Sequence, residues 1–253
     1  MLRIRLSRSM RIRVVTVALC MVCAVSAQAF RFEPISQEFS PSGAGSNHLF
    51  RVTNTTNQRI AVRIAVRPRV IERDGSEVLG EEAPEFTVFP RNVLLDPGNA
   101  RSIRVQWNGP ARVETEQAFR IIAEQVPIAL GGDLPTQGGG IRLTYRYEGT
   151  VYVTPPGARA DIQVESVGRE TRDGERFLRV TLSNTGTRHT ILRGAELALT
   201  YDPSIAPRIE LGPGDLRGLV GENMLAGLTR EFLIPAPEDL WDGEIYATLY
   251  LAD

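Results

Sequence analysis

Ile141-Arg142-Leu143-Thr144-Tyr145-Arg146-Tyr147-Glu148-Gly149-Thr150-Val151-Tyr152-Val153 is the stretch on which the reading of the fold turns. Ile141, Leu143, Tyr145 and Tyr147 fall on one phase of a period of two, with Arg142, Thr144, Arg146 and Glu148 on the other. That alternation describes a strand with one apolar and one wet face, and Val151 and Val153 continue the apolar phase. A Gly- and Pro-rich loop, residues 128–140, feeds directly into it. At a sheet edge, the face carrying Ile141, Leu143 and Tyr145 would invite pairing with another chain. In a sheet interior the same side chains would fill the domain's own core. The residues alone leave both readings open.

Outward from this strand the chain reads as β from end to end. Ile60, Val62, Ile64 and Val66 alternate with Arg59, Arg63 and Arg67, which places those arginines on a wet face. Ile103, Val105 and Trp107 alternate with Arg104 and Gln106, and Phe119, Ile121 and Ala123 with Arg120, Ile122 and Glu124. Turn-formers separate the runs, among them Asn54-Thr55-Thr56-Asn57, Asp74-Gly75 and Asp96-Pro97-Gly98. Many short strands with regular turns predict an all-β sandwich or barrel. Pro155-Pro156-Gly157 marks a boundary, beyond which strands are expected at 162–164, 177–182, 197–201, 232–234 and 245–251. Leu95-x-Pro97-Gly98 recurs as Leu211-x-Pro213-Gly214, and Val52-Thr53-Asn54 as Leu182-Ser183-Asn184. The repeats favour two sandwiches, residues 30–155 and 156–253, over one large barrel.

The first residues predict the compartment. Arg3, Arg5, Arg8, Arg11 and Arg13 precede an apolar run from Val14 to Val25, and Ala27-Gln28-Ala29 supplies a small-x-small cleavage site. Residues 1–29 are therefore expected to be a secretory signal, its apolar run falling short of the roughly 20 residues of a permanent span. Both cysteines, Cys20 and Cys23, lie inside it, so the mature chain is expected to have no disulfide and no cysteine metal site. Without the five leading arginines, 24 basic residues face 30 acidic ones, a net charge of about −6 that argues against nucleic acid as a partner. The chain has no lysine, so any carboxylate-binding task falls to arginine forks.

Catalytic patterns are absent from the sequence. His48 and His189 stand alone, without metal-ligand spacing, and read as exposed spectators beside turns. No serine sits in a nucleophile elbow, and Gly138-Gly139-Gly140 lacks the Lys-Ser/Thr of a phosphate loop. Acid pairs such as Glu81-Glu82 and Glu238-Asp239 lie in polar or Pro-bounded stretches and read as solvated charge. The expectation is no enzyme, no cofactor and no metal.

Over essentially its whole mature length the chain resembles the periplasmic chaperones of the chaperone–usher pilus pathway, the archaic and alternative branches in particular. The resemblance rests on Leu95-Asp96-Pro97-Gly98 running into Ser102-Ile103-Arg104-Val105, and on Glu116-x-x-Phe119-Arg120-Ile121-Ile122-Ala123-Glu124-Gln125-Val126-Pro127. After these come the Gly-rich loop, the strand ending in Val153-Thr154-Pro155, and the turns at Val180–Asn184 and Leu211-Gly212-Pro213-Gly214. It implies two immunoglobulin-like sandwiches set at an angle around a cleft, and a protein that binds, folds and caps pilus subunits by donor-strand complementation, a form of β-augmentation. Pilus subunits and an outer-membrane usher are the implied partners, with self-association through the donor strand as a further option, and the periplasm is the implied compartment. Ile141, Leu143 and Tyr145 would be the plugs of the donated strand. The family's usual basic anchors for the subunit's terminal carboxylate fall here on Gln37 or Glu38 and on Thr150, so the resemblance moves that role to Arg120 and Arg146. Arg104 and Glu116 match positions that hold the first domain or its junction together. Thr154 replaces an arginine at the strand's end, so any ion pair between the domains must be rebuilt. The competing reading is a free-standing secreted immunoglobulin-like adhesion or structural module.

Overall fold

The computed structural model describes residues 30–127 and 144–252. The expected signal, residues 1–29, lies outside them, as do Ile141 and Leu143 of the expected donor strand. In chain order the first half contains β1 (Arg31–Glu33), β2 (Ser36–Phe39), β3 (Asn47–Thr53), β4 (Ile60–Ile71), β5 (Glu77–Leu79), β6 (Phe86–Phe89), β7 (Asn92–Leu95), β8 (Ala100–Trp107), β9 (Gln117–Val126) and β10 (Arg146–Val153). The second half contains β11 (Ile162–Arg172), β12 (Glu175–Asn184), β13 (Thr190–Ile191), β14 (Glu196–Thr200), β15 (Ile209–Leu211), β16 (Asn223–Met224), β17 (Thr229–Pro235) and β18 (Tyr246–Tyr250). Among the described residues the one helical piece is the short turn Ala44–Ser46.

Two sheets enclose the first core. One runs β1-β3-β8-β6; the other runs β2-β10-β9-β4, with β5 and β7 both paired to β4. The alternation predicted for β4 is seen in its burial: Ile60, Val62, Ile64 and Val66 point inward and Arg63 outward. They meet Phe50, Val52, Ile103 and Val105 of the facing sheet. Phe86 lies at the centre of an aromatic group, its ring 5.0 Å from Phe119, 5.1 Å from Trp107 and 5.5 Å from Phe39, all edge-on. Edge-to-face rings at such spacing contribute beyond the area they bury.

A second, separate core gathers Leu178, Val180, Leu182, Leu197, Leu199, Phe232 and Ile234. Its sheets are β11-β12-β17 and β15-β14-β18, with β13 paired to β16. β11 and β12 run longer than their apolar centres suggest, because Asp173-Gly174 closes them with φ of 53° and 83°. Asp-Gly with both φ positive matches the two-residue hairpin turn whose twist fits paired strands.

The internal repeat is real, but half of it lies elsewhere than the sequence suggests. Asn54 and Asn184 are buried at the ends of β3 and β12. Asn54 Nδ2 donates to Gln58 O (2.7 Å) and Leu95 O (3.0 Å), and Asn184 Nδ2 donates to Arg188 O (2.8 Å) and Met224 O (3.0 Å). The main chain agrees: Asn54 O accepts from Gly98 N and Asn184 O from Gly227 N, while Asn54 N donates to Asn99 O and Asn184 N to Leu228 O. The counterpart of the Leu95–Gly98 turn is therefore Met224–Gly227 and not Leu211–Gly214. Sequence spacing favoured the shared Pro-Gly, whereas the clamp requires only a carbonyl and an amide in the right place.

Replacing either asparagine by leucine strands two carbonyls and should cost roughly 2–3 kcal/mol. In urea unfolding, Asn54→Leu should lower the transition of the first domain and Asn184→Leu that of the second. Equal and unchanged midpoints would contradict the clamp.

Candidate functional site

β10 is held on its two sides over different lengths. β9 pairs antiparallel with all of it, from Arg146↔Glu124 to Val153↔Gln117, and Gln125 N donates to Tyr145 O one step further on. On the other side β2 runs parallel and pairs only Thr150–Val153. Among the described residues no strand occupies that side from Arg146 to Gly149. Gly149 stands where β2 arrives: a Cβ there would lie 2.7 Å from Ile35 O and 2.9 Å from Ile121 Cγ2. Only glycine lets the two strands approach at this point.

The two phases of β10 face different surroundings. Tyr145 and Tyr147 are half-buried against the first core, and Tyr147 meets Phe30 edge-on at 4.8 Å. The Tyr145 ring is thus partly spent within its own domain. On the outer phase Arg146 pairs with Glu148 at 2.7 Å on the same strand. Arg120, opposite Thr150, sends Nε and Nη2 to the two oxygens of Glu77 (2.7 Å each) and Nη1 to Thr150 Oγ1 (2.7 Å). Arg69 Nε reaches the same Glu77 at 2.7 Å. The Arg120 guanidinium pushes the Glu77 carboxyl below its ordinary value, against the opposing effect of burial.

The expected anchor residues share one sheet face but not one partner. By register Arg120 and Arg146 are four residues apart along the β9–β10 ladder, roughly 13 Å. Each has its own acid. Arg120 brings its guanidinium to Thr150, the position on the expected donor strand where the resemblance calls for a lysine. Arg69 and Glu77 were missed because an alternating strand reads all its outward arginines as solvated. Only the fold shows that β5 returns beside β4, with Arg69↔Leu79 and Ile71↔Glu77, and covers one of them.

Glu116 lies at the junction of the domains. Its Oε1 accepts from His189 Nδ1 (2.6 Å) and His189 N (2.9 Å), and its Oε2 from Thr154 Oγ1 (2.7 Å). Burial pushes this carboxyl up, but the bonds from His189 and Thr154 outweigh it and leave it below its ordinary value of 4.5. The His189 ring stacks on Tyr152 at 3.6 Å and 8°, and Asn223 Nδ2 donates to the Tyr152 hydroxyl at 2.7 Å. Arg188 pairs with Glu38 at 2.7 Å. Histidine and threonine thus make the polar contact between the domains at this point. His189 is no spectator; in sequence nothing distinguishes it from any histidine beside a turn. His48 also has a local role, its Nε2 on Gly45 O (3.0 Å) and its ring edge-on to Phe39. Arg104 shares no hydrogen bond or ion pair with Glu116; it lies on the outer face of β8, bonded to Gln106, across from Leu49 and Phe89.

A second bridge comes from the β4–β5 hairpin. Arg73 Nε pairs with Glu231 Oε1 at 2.9 Å, and Glu231 N donates to Arg73 O at 2.9 Å. Gly75, with φ of 90°, packs so closely that a Cβ would lie 2.2 Å from Arg230 Nη2. The hairpin therefore joins the Arg120 cluster, through Glu77 just after its turn, to β17 at its tip. Among the described residues no group of His, Cys, Asp and Glu is arranged to hold a metal.

Because the folded Glu116 carboxyl titrates below 4.5, its contribution is complete above that pH and is lost as pH falls through the lower folded value. Glu116→Gln should cost about 1–3 kcal/mol at pH 7. The loss should shrink at pH 3.5, measured as urea midpoints at the two values. An equal loss at both would show that the charge does not matter.

No family model and no curated protein sequence matches the chain. Solved structures do. The class 5 fimbriae chaperone CfaA superposes with a TM-score of 0.56 at 14% identity, over 88% of this chain and 100% of its own. A chain of the CsuC–CsuE chaperone–tip adhesion subunit pre-assembly complex, from archaic chaperone-usher pili of Acinetobacter baumannii, gives 0.52 at 15% identity, over 87% and 92%. A chain of the Salmonella enterica complex of SafA pilin with the SafB chaperone gives 0.51 at 14%, over 90% and 99%. The chain has the two-domain, all-β fold found in fimbrial chaperones of the chaperone–usher pathway.

Proposed function

We propose that this protein is a periplasmic chaperone that captures pilus subunits lacking a final strand, by lending them β10 and the residues preceding it. One observation carries the reading: among the described residues, the side of β10 on which β2 pairs Thr150–Val153 has no strand partner from Arg146 to Glu148. An incomplete subunit would supply the missing ladder there, and the apolar phase of the segment would fill its groove. Ile141, Leu143 and Tyr145 are the proposed plugs; a fully buried apolar side chain contributes on the order of 1.5–3 kcal/mol, and Tyr145, already half-buried in its own domain, contributes less. Backbone pairing supplies affinity and alternate side chains supply selectivity. That two similar structures come from complexes of a chaperone with a tip adhesion subunit or a pilin supports the same reading.

The subunit's terminal carboxylate is assigned to the guanidinium row on the outer face, Arg120 first and Arg146 as a second contact nearer the loop. A forked guanidinium held beside the donor strand suits a carboxylate. The chemistry is binding alone: no enzymatic step, cofactor or metal is involved. A cleaved signal delivers the chain to the periplasm, and an outer-membrane usher receives the loaded complex. His189, Glu116 and Thr154 keep the two domains in register around the bound subunit.

Co-expression of residues 30–253 with a subunit truncated of its final strand should yield a one-to-one complex on size exclusion. Arg120→Ala should weaken capture about 30-fold or more, as loss of one partner of a buried charged pair does. Arg146→Ala should weaken it less. Failure of the unsubstituted protein to bind any such subunit overturns the function. Full-strength capture by Arg120→Ala overturns the anchor.

A further inference from the structure

The Arg120 guanidinium is already occupied. Its Nε and Nη2 grip Glu77 through two parallel bonds of 2.7 Å, the fork that a chain-terminal carboxylate would also take. Arg69 adds a third bond to the same carboxylate. Two guanidiniums therefore share one bonded acid; Glu148 also acts on Arg120 but is itself paired with Arg146, so the cluster keeps positive charge in excess. It keeps that charge largely out of water, since the side chains of Arg69 and Arg120 are only 8% and 19% exposed. Unbalanced charge in so little water attracts a second carboxylate.

Arg120 and Glu77 differ in how firmly they are held. Arg120 lies on a central strand between β4 and β10, and its Nη1 is tied to Thr150. Glu77 begins a three-residue edge strand paired with β4 through Arg69↔Leu79, Val70↔Val78 and Ile71↔Glu77, with Gly80 N on Pro68 O and Glu72 N on Ser76 O at its two ends. The hairpin tip is fastened to β17 through Arg73 and Gly75. The hairpin can therefore stay in place while the Glu77 side chain rotates towards solvent.

From this geometry we infer that Glu77 is a built-in occupant of the anchor: its carboxylate fills the Arg69–Arg120 site in the free protein and yields it to the terminal carboxylate of an incoming subunit. The inference rests on the proposed chaperone function and deepens it in two respects. It adds Arg69 to the anchor, and it gives the unloaded protein a carboxylate partner for two desolvated guanidiniums. Capture is then an exchange of one carboxylate for another, so affinity is set by the difference between the two and not by the full strength of the fork. An exchange of this kind also favours release, because Glu77 is ready to return when the subunit leaves.

The test compares three forms of residues 30–253, unsubstituted, Glu77→Gln and Glu77→Asp, for binding of the truncated subunit. If only about a tenth of the free protein has its anchor open, Glu77→Gln should bind about tenfold more tightly, since the apparent constant scales with the competent fraction. Glu77→Asp keeps the charge but withdraws it by one methylene. It should give a smaller gain of the same sign, and it covers the case in which the glutamine form fails to fold. The gain should vanish for a subunit whose terminus is extended by two glycines, because the carboxylate then no longer reaches the site. If Glu77→Gln and Glu77→Asp bind no better than the unsubstituted protein, or bind worse, Glu77 only holds Arg120 in place and the inference fails. A gain that survives the glycine extension overturns it too, since the effect is then general repulsion. No binding by the unsubstituted protein sinks the chaperone reading itself, an outcome distinct from either.

Discussion

A β-strand has two edges, and the backbone groups along each must be paired with something. Over its last four residues β10 meets that demand twice, with β9 on one side and β2 on the other. Over its first four it meets it once among the described residues. An edge of this kind is ordinarily a hazard, since it templates association with other chains. Here the covered half anchors the strand in the fold, while Gly149 sits where β2 arrives and permits the close approach. Among the described residues the strand is paired on both sides at one end and on one side at the other. The proposed capture of a foreign subunit depends on that division.

An available edge helps only if the groups around it hold their places, and polar atoms fulfil much of that role. Asn54 and Asn184 each tie a strand end to a distant turn with the same set of bonds, so each sandwich is clamped independently. Glu116 collects donors from Thr154 on the first domain and His189 on the second, and the His189 ring lies flat on Tyr152 of β10. The strand that ends in the junction is thus the one proposed to be offered at its other end. On the same sheet the β4–β5 hairpin links the Arg69–Glu77–Arg120 cluster to β17. A change in what Arg120 binds therefore occurs beside the turn of a hairpin whose tip touches the second domain.

Much of this is local and could be read in advance. Alternation in β4, β8 and β9 assigned inward and outward faces, because a strand has a period of two whatever surrounds it. The Asn turns after β3 and β12 were visible as a repeat, although the second Pro-Gly turn misled, since the clamp recognises a carbonyl and an amide and no particular side chain. Arg120 was named from resemblance. Its neighbours Arg69 and Glu77 were not, because an outward arginine looks the same whether water or a returning hairpin covers it. His189 was misjudged for a related reason: whether a histidine is free or bonded depends on what another domain brings to it, here Glu116 from 73 positions away.

The amino-acid sequence by itself determined that the chain is a series of short amphipathic strands in two sandwiches, because side-chain periodicity and turn chemistry act within a few residues. Which edge stays uncovered, which two arginines converge on one glutamate, and which histidine meets a buried carboxylate were decided by the tertiary structure alone. Those are contacts between residues far apart in the chain. Their energies depend on exposure and distance, and neither has a value until the sheets have closed.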